Sequence, residues 1–291
     1  MKNNELMNVL GCKLLLIILL IVGCAVKPIN KTEVPEPVVE LRDTKENKPE
    51  VAALLVKYES FIGEVAHMDD DVGFLIGDTW IYFRDGRMLT KESFPHQDRY
   101  QSIFYDYALG RITQLPEYQE LTVRSHDFLD HLFGTTEIRL REQCDWVPFL
   151  NHNAYMNHFC EEALRNVEVE ILQAAESNQE VQAFIDNLKT IYSFQQRNIR
   201  GTENASYHSY GLALDLVPKS YDRKNANWLW STAFTDEWHL TPLEKRWSPP
   251  QAVIDAFEKN GFVWGGKWVH FDTIHFEYAP EIILLAQSKV K

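Results

Sequence analysis

The chain has 291 residues, and its 42 acidic and 29 basic side chains give a formal net charge of −13 at pH 7. An acidic chain of this kind argues against nucleic-acid binding and against electrostatic attraction to anionic lipid. A polyanionic wall polymer stays compatible with this charge, because a single binding site can be locally cationic.

The N-terminus is predicted to be a processing signal. An apolar run over residues 14–22 is followed by Gly23 and Cys24. About ten apolar residues suit a secretory signal, whereas a bilayer-spanning helix needs about 20. Residues 21–24, Ile-Val-Gly-Cys, resemble the lipobox of bacterial lipoproteins. We therefore expect residues 1–23 to be a lipoprotein signal peptide and Cys24 to be lipidated, with an uncleaved signal anchor as the alternative. Either prediction places the rest of the chain in the cell envelope, facing the periplasm or the exterior.

Two further regions precede the main domain. Residues 24–50 hold four prolines among Glu, Lys, Asn and Thr, which predicts a flexible tether. Residues 51–120 are predicted to form a small N-terminal region. Within it, residues 80–89 predict a β-hairpin, because Asp85-Gly86 is a turn dipeptide between two strand-forming runs. The aromatic, aperiodic segment Tyr100 to Gly110 is predicted to be a packed loop.

Residues 121–291 are predicted to form the catalytic domain, which opens with helices. One helix is indicated by apolar residues that recur on one face, at Leu164, Val167, Ile171 and Ala174. The next begins with a capping box over residues 177–180 and has the apolar stripe Val181, Phe184, Ile185, Leu188 and Ile191. The last helix is predicted to have Ser248 as its N-cap, Pro249 as its first residue and Asn260-Gly261 at its end.

Strands are predicted in the second half of this domain. Leu212, Leu214 and Leu216 alternate with Ala213, Asp215 and Val217, and residues 268–278 are rich in aromatic side chains. Helices followed by strands indicate an α+β fold. We predict a small antiparallel sheet packed with helices, together with the small N-terminal appendage.

Two cysteines remain beyond Cys12 of the predicted signal and Cys24. Cys144 and Cys160 are predicted to form a disulfide, since the envelope is oxidising and such a bridge could add about 3 kcal/mol. The alternative is a pair of free buried thiols. Neither cysteine has the spacing of a cysteine-based zinc site.

Two segments, residues 206–215 and 264–278, carry the candidate chemistry. They supply two imidazoles, one carboxylate ligand and a spare carboxylate three residues before the second His. A catalytic zinc site needs three nitrogen or oxygen ligands, a position for water and a carboxylate base beside it. The pair of segments therefore indicates a metallopeptidase. The two stretches have the pattern Ser206-x-His208-x-x-Gly211-x-Ala213-x-Asp215 and Trp264-Gly-Gly-x-Trp268-x-x-x-Asp272-x-x-His275-Phe-Glu277.

This pattern resembles the D-alanyl-D-alanine carboxypeptidase-like zinc peptidases. That family includes D,D-carboxypeptidases, vancomycin-resistance dipeptidases and phage L-alanyl-D-glutamate endopeptidases. The resemblance implies one Zn²⁺ held by His208, Asp215 and His275, with Asp272 as the catalytic base. Arg197 is similar to an arginine that precedes the motif and polarises the scissile carbonyl or stabilises the oxyanion. The Asp-x-x-His form is similar to the endolysin-type branch, because the D,D-carboxypeptidases usually carry Glu-x-x-His.

Other residues near the motif have weaker assignments. We expect Ser206, His270 and Trp228 to contact substrate, although Trp228 and the nearby Trp230 could equally fill the core. Glu277 is predicted to be an outer partner of the metal ligands or an ordinary strand residue, with the catalytic base as the alternative. A second Asp-x-x-His, Asp236 to His239, lacks the Gly-Gly and aromatic surroundings and is predicted to be a loop.

We therefore expect a monomeric, lipid-anchored zinc peptidase that cleaves an amide in the peptide stem of peptidoglycan. Its action could be of the D-Ala-D-Ala carboxypeptidase or the L-Ala-D-Glu endopeptidase type. The alternative is an inactive peptidoglycan-binding lipoprotein that keeps the metal site, but the presence of both Asp272 and Arg197 argues against it. A serine hydrolase built on Ser206 or Ser209 has little support, because neither serine lies in a Gly-x-Ser-x-Gly nucleophile elbow.

Overall fold

The computed structural model describes residues 48–68, 70–120, 123–199, 202 and 204–289. The predicted signal peptide, Cys24 and nearly all of the tether lie outside these residues, and their assignments stay predictions. Among the described residues, no helix has the length and apolar character needed to cross a membrane.

The helices and strands alternate along the chain, with short 3-10 turns between some of them. In chain order they are α1 Pro49–Lys57, β1 Ile62–Met68, β2 Asp71–Ile76, β3 Thr79–Arg84, β4 Arg87–Leu89, α2 Asp127–Phe133, α3 Glu137–Glu142, β5 Cys144–Phe149, β6 His152–Asn157, α4 His158–Ala175, α5 Gln179–Asn187, β7 Leu188–Tyr192, β8 Ala213–Pro218, α6 Trp228–Ser231, α7 Gln251–Lys259, β9 Phe262–Trp264, β10 His275–Tyr278 and α8 Pro280–Lys289.

The first sheet is an antiparallel meander with the strand order β1-β2-β3-β4. The predicted hairpin over residues 80–89 is confirmed, because β3 pairs with β4 and Arg84 lies opposite Arg87. Asp85 and Gly86 join them with φ angles of 48° and 77°, as a two-residue turn with left-handed backbone requires. The next segment, Tyr100 to Gly110, has no regular structure and buries Tyr107, as the loop prediction implied.

The second sheet is antiparallel with the strand order β7-β8-β10-β9, so two central strands are far apart in sequence. In the register of β8 and β10, Asp215 lies directly opposite His275. Helix α7 packs against β9, and α4 packs against both α5 and α7. The α+β fold with helices around a small antiparallel sheet is confirmed.

The N-terminal region shares its hydrophobic core with the rest of the described chain. Val51 and Leu54 of α1 belong to the same buried cluster as Phe257 of α7. Helix α1 also packs against α8, and the Tyr58 hydroxyl donates a hydrogen bond of 2.9 Å to Glu281. The domain boundary at residue 120 stays a prediction.

Helix α5 is shorter than its apolar stripe suggested. It ends at Asn187, and Leu188 and Ile191 belong to strand β7 rather than to the helix. The run from Thr190 to Tyr192 is β-branched and aromatic, and it pairs with β8, so strand formation wins over continuation of the helix. The N-cap is Asn178, whose side chain accepts hydrogen bonds from two backbone amides.

Helix α7 begins two residues later than predicted. Its first residue is Gln251, and Pro250 is the N-cap without any side-chain capping bond. Pro249 cannot open the helix because a residue before proline disfavours helical backbone. The Ser248 hydroxyl instead donates to the carbonyl of Pro249. The strand expected over residues 268–278 is confined to β10, which starts at His275.

The predicted disulfide is wrong for this structure, in which Cys144 and Cys160 are free and buried. Each thiol donates instead to a backbone carbonyl: Cys144 to Leu140 at 3.2 Å and Cys160 to Asn157 at 3.2 Å. Burial raises the pKa of both thiols, so both stay protonated at neutral pH. Protonated thiols with hydrogen-bond acceptors are stable in this core without a bridge.

Candidate metal centre

Three side chains converge at the centre of the second sheet. Asp215 and His275 face each other across β8 and β10, and His208 lies in the 3-10 turn that precedes β8. The turn ends at Gly211, which has a φ angle of 69°. A Cβ at this position would also lie 2.6 Å from the Cys144 sulfur, so only glycine lets the chain pass from the turn into the strand.

The donor atoms of these residues have the spacing of metal ligands. His275 Nδ1 lies 2.9 Å from Asp215 Oδ1, and His208 Nε2 lies 3.2 Å from each of these two atoms. Ligands that bind zinc tetrahedrally at about 2.0–2.2 Å are about 3.3–3.5 Å apart. The three donor atoms therefore have nearly the spacing that a tetrahedral zinc ion would require. Within the part of the chain that the structure describes, these three are the His and acidic side chains found close enough together to hold a metal ion.

The second nitrogen of each imidazole has its own acceptor. His208 Nδ1 lies 2.6 Å from the carbonyl of Ser193, and His275 Nε2 lies 3.1 Å from Glu277 Oε2. Metal-binding histidines usually donate their other N–H to a carbonyl or a carboxylate, which fixes the ring and its tautomer. Glu277 thus has the position expected of an outer partner of a candidate ligand, which is one of the roles predicted for it.

The cluster stabilises positive charge. Burial raises the pKa of Asp215, but hydrogen bonds with His208 and His275 outweigh burial and hold this pKa well below its usual range. Burial lowers the pKa of His275, but its bonds to Asp215 and Glu277 win and raise this pKa to about 10. The proton on His275 and a divalent cation would satisfy the same need, so a metal must displace that proton to bind.

Asp272 has the hydrogen bonding expected of a base. Its Oδ2 atom accepts a bond of 2.8 Å from Asn227 Nδ2, and its backbone N–H donates to Gly265. Its Oδ1 atom is buried and has no hydrogen-bond partner among the described residues. Burial, with a further contribution from the charge of Asp215, raises the pKa of Asp272 to about 6. One oxygen is therefore anchored while the other is available to take a proton near neutral pH.

A cavity of about 780 Å³ gives access to this centre. The predicted catalytic and substrate residues all contribute to its lining, namely Arg197, Ser206, Trp228, His270 and Asp272, as do His275 and Glu277. Trp228 therefore lines the cavity and does not only fill the core. Trp230 is outside the lining, is 41% exposed and packs against Tyr221.

The side chains of this wall differ in how they are held. The hydroxyl of Ser206 accepts from the backbone N–H of His208 and so caps the turn that presents a ligand. The rings of Trp228 and His270 are in contact, with 4.9 Å between their centroids. Arg197 is exposed, and its backbone N–H donates to the hydroxyl of Ser209. Its side chain is thus free to reach a ligand in the cavity.

Several cavity residues were not identified from sequence. Asn227, which orients Asp272, also caps α6 by accepting a bond from Leu229, and nothing in its sequence neighbourhood marks it. Tyr105 and Arg124 also line the cavity, and they come from an earlier part of the chain than the candidate ligands. The aromatic content of the segment from Tyr100 to Gly110 was a hint, but it predicted only a packed loop.

The second Asp-x-x-His is not part of the centre. His239 lies in a 3-10 turn, Trp238–Leu240, and its ring packs against Tyr118 with centroids 4.9 Å apart. It is absent from the group formed by His208, Asp215 and His275. The loop environment predicted for this pair agrees with its position.

Part of the chain matches a known protein family. Residues 200–278 match the family model described as D-alanyl-D-alanine carboxypeptidase. The matched segment contains the three candidate ligands and Asp272, while Arg197 precedes it. The predicted resemblance to this peptidase family is confirmed, and it indicates a peptidoglycan-related hydrolase in general terms. No curated protein and no solved structure matches the chain.

Proposed function

We propose that this protein is a zinc-dependent peptidase that hydrolyses an amide bond in the peptide stem of peptidoglycan. The observation that carries the proposal is the convergence of His208, Asp215 and His275 beside the free oxygen of Asp272. All four residues lie within the segment that matches the peptidase family. A protein that only binds peptidoglycan could use the metal ligands to stabilise its fold. It would not need a buried carboxylate with one oxygen free to accept a proton.

Each residue has a task in this proposal. A bound zinc ion would supply Lewis acidity and lower the pKa of water in the cavity. Asp272 accepts a proton from the attacking water through Oδ1 and returns it to the leaving amine, while Asn227 holds Oδ2 in place. Arg197 donates hydrogen bonds to the carbonyl oxygen of the scissile amide as negative charge develops there. Glu277 fixes the orientation of His275.

Digestion of purified peptidoglycan tests the proposal. The zinc-loaded protein should release stem-peptide fragments, and a chelator should abolish the release until zinc is restored. Mass analysis of the fragments identifies the bond, and so separates D-Ala-D-Ala carboxypeptidase from L-Ala-D-Glu endopeptidase action. Zinc-loaded protein that binds peptidoglycan but releases no fragment would instead support the inactive, peptidoglycan-binding lipoprotein.

We also propose that the enzyme is anchored to a membrane through lipidated Cys24 and acts in the cell envelope. The proposal is supported by the short apolar run that ends in Ile-Val-Gly-Cys and by the proline-containing tether after it. Cys24→Ser should abolish metabolic labelling by a fatty-acid probe, with Cys12→Ser as the matched control. Undiminished labelling of Cys24→Ser would contradict the proposal.

A further inference from the structure

The cavity contains a cation that the proposed reaction does not use. Arg124 is half-buried and lines the cavity, and its guanidinium lies over the ring of Tyr105 at 5.1 Å from the centroid. It forms no ion pair with any carboxylate in the part of the chain that the structure describes. An arginine held in place by an aromatic ring but without a counterion still has donors to offer.

The other cavity cations differ from Arg124. Lys267 forms an ion pair with Glu258 and also donates to the carbonyl of Ala108. Arg197 has a task at the scissile carbonyl in the proposed reaction. Among the Lys and Arg side chains of the described cavity lining, Arg124 therefore has neither a counterion nor an assigned role.

Backbone contacts place Arg124 next to the metal-binding motif. Its N–H donates to the side-chain oxygen of Asn204 at 3.3 Å, and two residues later His126 Nε2 accepts from the N–H of Ala205 at 2.9 Å. The stretch from Asn204 leads directly into the turn that carries His208. The position of Arg124 is thus tied to the chain that presents a metal ligand.

Arg197 contacts the same stretch through its own backbone. The carbonyl of Arg197 accepts from the N–H of Ser206 at 3.0 Å, and Asn198 pairs with Ala205 in an antiparallel bridge. The segments that carry Arg124 and Arg197 are therefore both attached to residues 204–206, and both arginines line one cavity. Two such cations can engage two different acceptors of one bound peptide.

An aromatic pair connects Arg124 to the metal centre. The indole N–H of Trp268 lies 3.3 Å from the hydroxyl of Tyr105, the residue under the guanidinium. The ring of Trp268 lies against that of His275, with centroids 5.4 Å apart. Two aromatic side chains therefore link Arg124 to the metal centre, along the lining of the cavity.

Two nearby carboxylates do not neutralise Arg124 by direct contact. Glu277 is occupied by its bond to His275, and Glu281 accepts from the hydroxyl of Tyr58. Burial raises the pKa of Glu281 to about 7, and the charge of Arg124 is among the smaller effects that oppose this shift. Neither carboxylate forms an ion pair with the guanidinium, so its hydrogen-bond donors stay available to a ligand.

We infer that Arg124 binds a free carboxylate of the peptide substrate while Arg197 contacts the amide that is cut. The inference rests on the proposed function. A planar guanidinium pairs with a carboxylate through two parallel hydrogen bonds, and this pairing is stronger and more selective than bonds between neutral groups. The cavity volume lies within the range of about 300–1,000 Å³ that is usual for ligand pockets. A stem peptide offers such a group at its C-terminus and on its D-glutamyl residue.

Three synthetic stem peptides test the inference: one with all carboxylates free, one with an amidated C-terminus and one with an amidated D-glutamyl carboxylate. The wild type should cleave one of the two amidated peptides about 10–100-fold less efficiently than the free peptide, because a hydrogen bond to a charged group contributes a binding free energy of this size. Arg124→Ala should remove this discrimination, because its cleavage of the free peptide should fall to the rate seen for that amidated peptide. The amide that shows the effect identifies the carboxylate.

Control variants separate recognition from folding. Arg124→Lys keeps the charge and should recover part of the discrimination. Arg111→Ala alters an exposed arginine that does not line the cavity, and it should discriminate as the wild type does. Zinc content and melting temperature should be the same in all of these proteins.

Two results would overturn the inference: a wild type that treats all three peptides alike, or an Arg124→Ala variant that slows all three equally. Calorimetric binding of the same peptides in the slow Asp272→Asn background gives the same comparison with little turnover. Wild-type protein that discriminates in binding but cleaves neither these peptides nor peptidoglycan would contradict the proposed function and leave the recognition by Arg124 supported.

Discussion

The two four-stranded sheets of this protein differ in what they bury. The first takes its strands in chain order, and its buried side chains are apolar, among them Phe74, Ile81 and Met88. The second assembles strands between residues 188 and 278, and it buries Asp215, His275 and Glu277. Buried charges cost stability unless they are paired. One sheet therefore serves packing, whereas the other accepts an electrostatic cost to form a site.

The difference in strand order explains why, of these two sheets, it is the second that brings the candidate metal ligands together. Strands joined by two-residue turns bring together residues that are already neighbours in sequence, as at Asp85-Gly86. In the second sheet, β8 pairs with β10 across an intervening stretch of more than fifty residues, which brings Asp215 opposite His275. Convergence of distant ligands therefore depends on the non-local pairing.

The largest effect should come from removing a ligand in the second sheet. His275→Ala deletes one of three metal donors and leaves Asp215 and Glu277 without their shared partner. We expect the zinc content of the purified protein to fall well below one equivalent and cleavage to fall to the uncatalysed level. Metal analysis and peptidoglycan digestion measure the two effects. His239→Ala, in the other Asp-x-x-His, should change neither, and loss of zinc in that variant would place the metal at that second pair instead.

The next effect should separate metal binding from catalysis. Asp272→Asn keeps the shape and the bond from Asn227 but removes the proton acceptor. General-base catalysis contributes about 10²–10⁴-fold, so kcat should fall by roughly this factor while zinc stays bound. Full activity in Asp272→Asn would exclude the mechanism while leaving the family assignment unaffected.

A somewhat smaller effect is expected at the exposed arginine of the cavity. Arg197→Ala removes a donor to the developing oxyanion, and loss of one such donor commonly costs about 10²–10³-fold in kcat. Zinc content should be unchanged, because Arg197 contacts the turn of His208 only through its backbone. Arg223→Ala changes an arginine that does not line the cavity of Arg197, so it is the matched control and should keep full activity. An unchanged kcat in Arg197→Ala would assign the oxyanion to other groups.

Local patterns predicted much of both sheets. The hairpin at Asp85-Gly86 was predictable because its turn chemistry is contained in two residues, and the cluster of candidate ligands was predictable because a sequence motif contains them. The end of α5 was not, because Leu188 continues a helical stripe and only its pairing with β8 makes it a strand residue. Asn227 and Arg124 were also missed. Their roles arise from contacts with residues 45 and 80 positions away, which no spacing rule encodes.

The smallest expected effect concerns the place where the first sheet supports the cavity of the second. The carbonyl of Gly86 accepts hydrogen bonds from the N–H of Ile103 and from the hydroxyl of Ser102, and both residues belong to a segment that lines the cavity. A Cβ on Gly86 would overlap the side chain of Ser102. Gly86→Ala should therefore displace this segment in addition to straining the left-handed turn.

Gly77→Ala separates these two contributions. Gly77 has a φ angle of 60° in the preceding turn of the same sheet, and a Cβ there would meet nothing within 4 Å. Both variants should lose about 1–2 kcal/mol of unfolding free energy from the left-handed backbone. Only Gly86→Ala should raise KM, by about threefold to tenfold or roughly 1 kcal/mol of binding, because only it moves the cavity wall. Zinc content and kcat should match the wild type in both. Equal KM values for the two variants would mean that the first sheet stabilises the protein without shaping its substrate site.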